Sequence, residues 1–264
     1  FDLRLIPGRA YTFVVWADFV AQGTEGDNHY ITSGEFGLRN VSLNNTSEHK
    51  AMDESRDAYT GIKTVSDFNS SSVIAFELKR PFAKLRVVTN DMNQIYNSLV
   101  SGEVEYNVQD VYTAFNALAE APVAASAGSI NVKSFPYDET TDYADNRENE
   151  KTLFADYLFG TASKTVQFAL TVTDSVEALP TVYFNTAIPV QRNYLTTIYG
   201  PILTDYNNVT VTINPAFEEP EHIVDVWDGV SISEPAVEAD PVTGEPVAVI
   251  DSAADLVLPF YAGT

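Results

Sequence analysis

Residues 181–217, TVYFNTAIPVQRNYLTTIYGPILTDYNNVTVTINPAF, decide the fold class. Val182 and Phe184 alternate with polar neighbours. Ile188, Val190, Leu195, Ile198, Ile202 and Leu203 then carry the apolar load. Val209, Val211 and Ile213 alternate with Thr210, Thr212 and Asn214. A period of two over six residues is the mark of a strand with one buried and one wet face. Asn207 and Asn208 before it are turn formers, because Asn tolerates a positive φ and bonds its own backbone. Pro215 ends the run, since it cannot donate to a ladder. None of these residues makes a reactive set, and the stretch has the pattern of the last strands of a β-sandwich.

Working outward, the same pattern recurs along the chain. Strands are expected at 1–6, 11–20, in one or two short pieces over 30–43, and at 73–78, 82–89, 104–111, 130–135, 152–159 and 165–173. Residues 42–57 lack periodicity and are expected to be loop. Met92, Ile95, Tyr96 and Leu99 share helical spacing, so the one sizeable helix is expected over 90–100, capped by Asn90 or Asp91. Residues 114–127 are alanine-rich but broken by Pro122, which allows a turn of helix at most. The expected architecture is all-β, two consecutive antiparallel β-sandwich domains (transthyretin-like, Greek-key) with minor helix, at 1–78 and 79–217. From 218 the composition turns rich in Pro and Glu, which predicts an extension or the start of a further module.

Four segments carry a family resemblance. They are Ile188 to Thr204 (IPVQRNYLTTIYGPILT), Arg80 to Val88 (RPFAKLRVV), Trp16-Ala-Asp18 and Arg56-Asp-Ala-Tyr59. In this order they resemble the fimbrillin-like proteins of Bacteroidales, over roughly residues 1–229. The resemblance, and not the composition, implies an exported surface protein that serves as a fimbrial subunit or related adhesin. It implies a lipid anchor on a cysteine outside this sequence as the one membrane contact. It also implies a first domain lacking its first strands, completed by a donor strand from another subunit. The start at Phe1 fits both a processing site and an excised fragment. The donor is expected in 237–249 or 253–261, with Val247, Val249, Leu256 and Leu258 as its apolar residues. Partners would then be other fimbrial subunits, its own or accessory, and a host protein or glycan. The rival expectation is a surface glycan-binding lipoprotein that does not polymerise.

The chain has 264 residues, 37 acidic against 15 basic, for a net charge of −22. Such a charge repels nucleic acid and anionic membranes. With no cysteine, disulfide staples, thiol catalysis and Cys-type zinc sites are excluded. Aromatic residues make up 12% of the chain, which favours strands. His29, His49 and His222 lie far apart and are expected as ordinary surface residues, so no metal or cofactor is expected. Asp18, Asp27, Asp53, Glu54, Asp57 and the 138–150 acidic run lack calcium-loop spacing and are expected to be solvated. No Gly-x-Ser-x-Gly, His-Glu-x-x-His or phosphate loop is present, so no enzyme is expected. Tyr30 and Tyr143, both in expected loops, are the aromatic residues best placed for a sugar. Asp174-Ser-Val176 and Asp251-Ser-Ala253 match a short O-glycosylation pattern.

Overall fold

A computed structural model describes residues 4–20, 28–44, 49–68, 73–107, 110–124, 131–137, 148–215, 217, 237–239 and 246–248. Phe1–Ser231 forms one compact unit and Ile232–Thr264 a second. In the first unit a two-layer sandwich forms the largest part. One sheet contains β5 (Phe82–Thr89), β10 (Lys151–Phe159), β13 (Tyr194–Gly200) and β14 (Thr210–Pro215), in the order β10-β5-β13-β14. The other contains β6 (Leu99–Tyr106), β9 (Asn131–Pro136), β11 (Thr165–Asp174) and β12 (Val182–Pro189), in the order β12-β11-β6-β9. All these pairs are antiparallel except β5 with β13, which run parallel. Phe154 on β10 meets Tyr106, Phe135 and Phe168 of the facing sheet at centroid distances of 6.1, 6.0 and 6.0 Å. Those rings fill the space between the layers.

The rest of the unit is built on short or sparsely paired strands. β1 (Arg9–Asp18) and β4 (Ala58–Phe68) form an antiparallel two-stranded ribbon. A second small sheet joins β2 (Tyr30–Ile31), β3 (Val41–Leu43), β7 (Ala114–Asn116) and β8 (Ala121–Pro122) in that order. It therefore draws strands from both sides of position 78. Trp16 joins the ribbon to the interior, meeting Tyr30 edge-on at 5.4 Å and Phe82 at 6.5 Å. Tyr30, Phe82, Phe159 and Phe115 continue as a column of stacked rings, 5.4, 5.0 and 5.6 Å apart. Offset aromatic stacking adds to their area burial, so this column ties the small sheet to the sandwich. In the second unit β15 (Val237–Ala239) and β16 (Pro246–Ala248) form a hairpin.

The all-β architecture agrees with the period-two reading, but several elements differ. The helix expected over 90–100 is one 3-10 turn, Met92–Gln94, and the chain is extended again by Ile95. Asp91 does not cap it. Its carboxylate is taken by the Thr89 hydroxyl and by the Thr204 N–H and hydroxyl, at 2.8 and 2.7 Å for Thr204. The strand expected at 104–111 lies at 99–106. Residues 73–78 run without a ladder, and only Lys79 bridges to Thr60. Of 1–6, the described residues Arg4–Ile6 form no strand. The eleven-residue strand β4 has no counterpart in the periodicity, and 114–127 gives β7 and β8 instead of a helical turn. The expected loop 42–57 contributes two residues to β3 and a 3-10 turn at Glu54–Arg56. Among the described residues no helix is long and apolar enough to cross a membrane.

Candidate strand-accepting ribbon and the guarded sandwich edges

An exposed sheet edge offers a row of unpaired N–H and C=O groups to another chain, and folds guard such edges with bulges, covers or charges. Two sandwich edges are guarded. On β12 the partners Val166↔Ile188 and Phe168↔Phe184 set one residue of β11 against three of β12. Asn185, Thr186 and Ala187 therefore bulge outward and are exposed, with the Asn185 carbonyl accepting from the Gln167 amide. A bulge of this kind bends the edge away from regular pairing.

The β10 edge is guarded by a cover. Residues 49–57 lie along it and straddle the sheet. Met52 N–H donates to the Ala155 carbonyl at 2.9 Å, in the manner of an added strand, and Met52 takes φ 59 to do so. On one face His49 Nε2 lies 2.7 Å from Asp156 Oδ1, both side chains sealed from solvent. On the other face Glu54 accepts from Lys84 Nζ at 2.9 Å and from the Tyr157 hydroxyl. Asp53 caps the 3-10 turn by accepting from the Ser55 N–H at 3.1 Å. Asp156 is also bonded by the Tyr106 hydroxyl, 2.8 Å, and by the Tyr157 N–H, 2.8 Å. Burial first, then the Asp156 charge, pushes the Tyr106 phenol well above its ordinary range, so it stays a donor. Burial likewise raises Tyr30, whose hydroxyl donates to the Arg56 carbonyl. His29 faces Ser55 at 2.8 Å, and its pKa is lowered by burial and then by Arg56.

The β1–β4 ribbon is different. In β1 no residue is fully buried, and in β4 burial is confined to Ala58, Thr60 and Gly61. Among the described residues no strand pairs with the outer edge of β1, and the outer edge of β4 carries one bridge, Thr60 to Lys79. One face of the ribbon, with Val14 and Trp16, packs on the core. The other carries Tyr11, Phe13 and Val15, and is only partly covered. Tyr11 meets Phe68 at 6.2 Å and Phe13 meets Phe76 at 6.5 Å, and all four rings are half-buried. Gly61 lets residues 77–78 approach this face, since a Cβ there would stand 2.8 Å from the Glu77 carbonyl oxygen. At the far end Arg80 anchors the ribbon. Its Nε reaches both oxygens of Asp57 at 2.9 Å and its Nη2 reaches the Tyr59 hydroxyl at 2.7 Å. Its guanidinium stacks over the Tyr59 and Phe217 rings.

The residues singled out in the sequence fall as follows. Val247 lies in β16 opposite Glu238, whereas Val249, Leu256 and Leu258 lie outside the described residues, as do Tyr143, His222, Asp27 and Asp251. Tyr30 is not an exposed loop aromatic. It is 1% exposed, because it anchors the aromatic column. His49 is not a surface histidine either, being held by Asp156 in the interior. Among the described residues no three His, Asp or Glu side chains are placed to hold a metal. Ser175 is exposed at the β11–β12 turn, where Asp174 accepts from the N–H groups of Val176 and Glu177 at 2.7 and 2.8 Å. The 49–57 cover escaped the sequence reading altogether. His49 and Asp156 stand 107 residues apart, and no local pattern links them.

A family described as a family of unknown function (DUF6562) matches residues 1–243. Among curated proteins none matches. A crystal structure of a candidate cell adhesion protein from Bacteroides ovatus is 15% identical, with a TM-score of 0.51 over 83% of this chain and 72% of that one. A fimbrial assembly protein from Parabacteroides distasonis is 13% identical, with a TM-score of 0.38 over 79% of this chain and 69% of that one. The first likeness is one of fold.

Proposed function

We propose that this chain, which belongs to the DUF6562 family of unknown function, is a non-enzymatic cell-surface adhesion protein of fimbrillin type. In this reading the β1–β4 ribbon accepts a strand from another subunit. Strand addition supplies main-chain hydrogen bonds to an open edge, and its alternate side chains fill apolar ground beside that edge. The observation that carries the reading is the half-exposed ribbon beside a sandwich whose β10 and β12 edges are guarded.

Charge supports the same place. On a chain of net charge −22, like copies repel almost everywhere. The ribbon and its approach carry exposed Arg4, Arg9 and Lys63 against Asp18 and Asp67. Residues 218–264 carry eleven Asp and Glu and no Lys or Arg. An extended segment from that region is therefore attracted to the ribbon. Val247 with Val249, and Leu256 with Leu258, are two apart, the spacing that places both side chains of a strand on one face. The donor role of these four residues is part of the proposal.

The test is assembly with and without residues 230–264, followed by electron microscopy and sedimentation. Loss of polymer on truncation, restored by an added peptide of residues 237–261, supports the reading. Polymers of unchanged length after truncation, or a peptide that protects no β1 or β4 amide from hydrogen exchange, would defeat it.

A further inference from the structure

Residues 73–79 lie along the outer edge of β4 in the register of a strand without forming one. Thr60 and Lys79 exchange both main-chain bonds, each at 2.9 Å, as an isolated antiparallel bridge. Counting on from that bridge sets Leu78 opposite Gly61, Phe76 opposite Lys63 and Ile74 opposite Val65. Across the ribbon those three β4 positions pair with Val15, Phe13 and Tyr11. The side chains obey this register. A Cβ on Gly61 would stand 2.9 Å from Leu78 Cδ2 and 3.3 Å from Val15 Cγ2, and the Phe76 ring meets that of Phe13. Ile74 and Phe76 are half-buried, whereas Val73, Ala75 and Glu77 between them are exposed.

The main chain does not follow. Along one strand of an antiparallel pair, the backbone groups of every second residue point to the same edge. Ile62 and Thr64 therefore present theirs where Thr60 does. Among the described residues that edge has no ladder beyond the one bridge. The segment thus covers the apolar rows of the edge and leaves its backbone groups open. A strand that filled the same rows and also bonded Ile62 and Thr64 would hold the edge better.

Such a strand must carry apolar residues at three alternate positions. It must have no proline at the two positions between them, whose N–H groups bond β4. Ile74-Ala-Phe-Glu-Leu78 sets the pattern, and Ala254-Asp-Leu-Val-Leu258 repeats it. The other candidate donor does not. Glu245-Pro-Val-Ala-Val249 brings Pro246 to a bonding position, and Val247-Ala-Val-Ile-Asp251 ends on an acid. Resting on the strand-accepting reading above, we propose that residues 73–78 are a resident stand-in on the β4 edge, displaced by residues 254–258 of a second copy of this chain.

The experiment pins the stand-in. The chain has no cysteine, so Val65→Cys with Ile74→Cys gives a single disulfide. Opposed residues of this kind sit about 4.5 Å apart at Cα in a closed pair, within a disulfide's reach. Fluorescence anisotropy follows a labelled peptide of residues 252–260 on the full chain, and sedimentation follows assembly. The oxidised variant is expected to lose both peptide binding and assembly, and reduction to restore them. In the wild type the peptide slows amide exchange at Ile62 and Thr64, and a peptide of residues 245–251 does not. This inference alone is overturned if the disulfide fails to form, if oxidised and reduced forms bind equally, if protection falls on Thr12 and Val14 of β1 instead, or if both peptides bind alike. A wild-type chain that binds neither peptide and stays monomeric overturns the strand-accepting reading and this inference with it. Should the double variant misfold, Phe76→Ala decides: it loosens the stand-in and tightens peptide binding several-fold, and unchanged or weaker binding overturns the inference.

Discussion

Strands β1 and β5 make an instructive pair. β1, RAYTFVVWAD, is the more uniformly apolar of the two in its centre, yet none of its ten residues is fully buried. β5, FAKLRVVT, contains Lys84 and Arg86, yet all eight of its residues are buried. The difference lies in neighbours. β5 is flanked on both sides, by β10 and β13, and both of its faces are covered. Among the described residues β1 has one paired edge and one face against the core. Burial is thus decided by what a strand lies beside, and the ribbon keeps apolar residues that the other described residues cover only in part.

This contrast can be broken in four places. The largest expected effect is in the sandwich, where Phe154→Ala should cost about 3–5 kcal/mol in urea unfolding. Phe13→Ala in the ribbon should cost roughly 1–2 kcal/mol, because its ring is only half-buried. Equal costs would mean that the ribbon is as well packed as the sandwich. Next, Asp156→Ala leaves His49 and Tyr106 without their shared acceptor and should cost about 3 kcal/mol. Thr12→Val removes the exposed Thr12–Thr64 hydroxyl bond of 3.1 Å and should stay within about 0.5 kcal/mol. Third, amides of β1 should exchange roughly a hundredfold faster than those of β5, since open edges belong to the low-stability end of a fold. Nuclear magnetic resonance exchange rates check this, and uniform protection across both strands would contradict it.

The smallest effect concerns pH. The Asp174 carboxyl is held below its ordinary value by the Glu177 N–H, then by Asn97 and the Val176 N–H. A lowered folded pKa means that the contribution is present above the unfolded value. It is lost as pH falls through the folded one. His29, lowered by burial, has the same sign from a higher start, so its share begins to fade below pH about 6.5. Asp174→Asn should lower stability at neutral pH, leave it nearly unchanged at strongly acid pH, and so flatten the acid limb below pH about 4. A variant curve that falls as steeply as the wild type below pH about 4 would remove Asp174 from the account.

Much of the sandwich was legible because its strands alternate. Val209, just before β14, and Val211 and Ile213 on it are buried as their spacing requires, although Thr212 between them is buried too, and β10 and β11 lie where their apolar runs fall. The ribbon was half legible. YTFVVWAD announces β1, but β4 is masked by Gly61, a residue that weakens a strand pattern and is needed here for close approach of residues 77–78. Residues 73–78 look like a strand and have no ladder, because a pattern of apolar residues specifies cover and not hydrogen-bond partners. The 90–100 spacing suggested a helix, but the Asp91 that should cap it is committed to Thr89 and Thr204. The 49–57 cover, with His49, Glu54 and Arg56, was invisible for a simpler reason. Its contacts are with β5 and β10, and a polar segment shows no period when its partners are remote in sequence.

The parallel pairing of β5 with β13 has a consequence for synthesis. Thr89 meets Gly200 across 111 residues of chain. At 5–20 residues per second, the central strand waits roughly 5–20 s after leaving the ribosome before its second neighbour exists. During that interval its aromatic and aliphatic side chains lack that neighbour, and chaperones or the earlier long-range pairing of β5 with β10 must keep the nascent chain from aggregating.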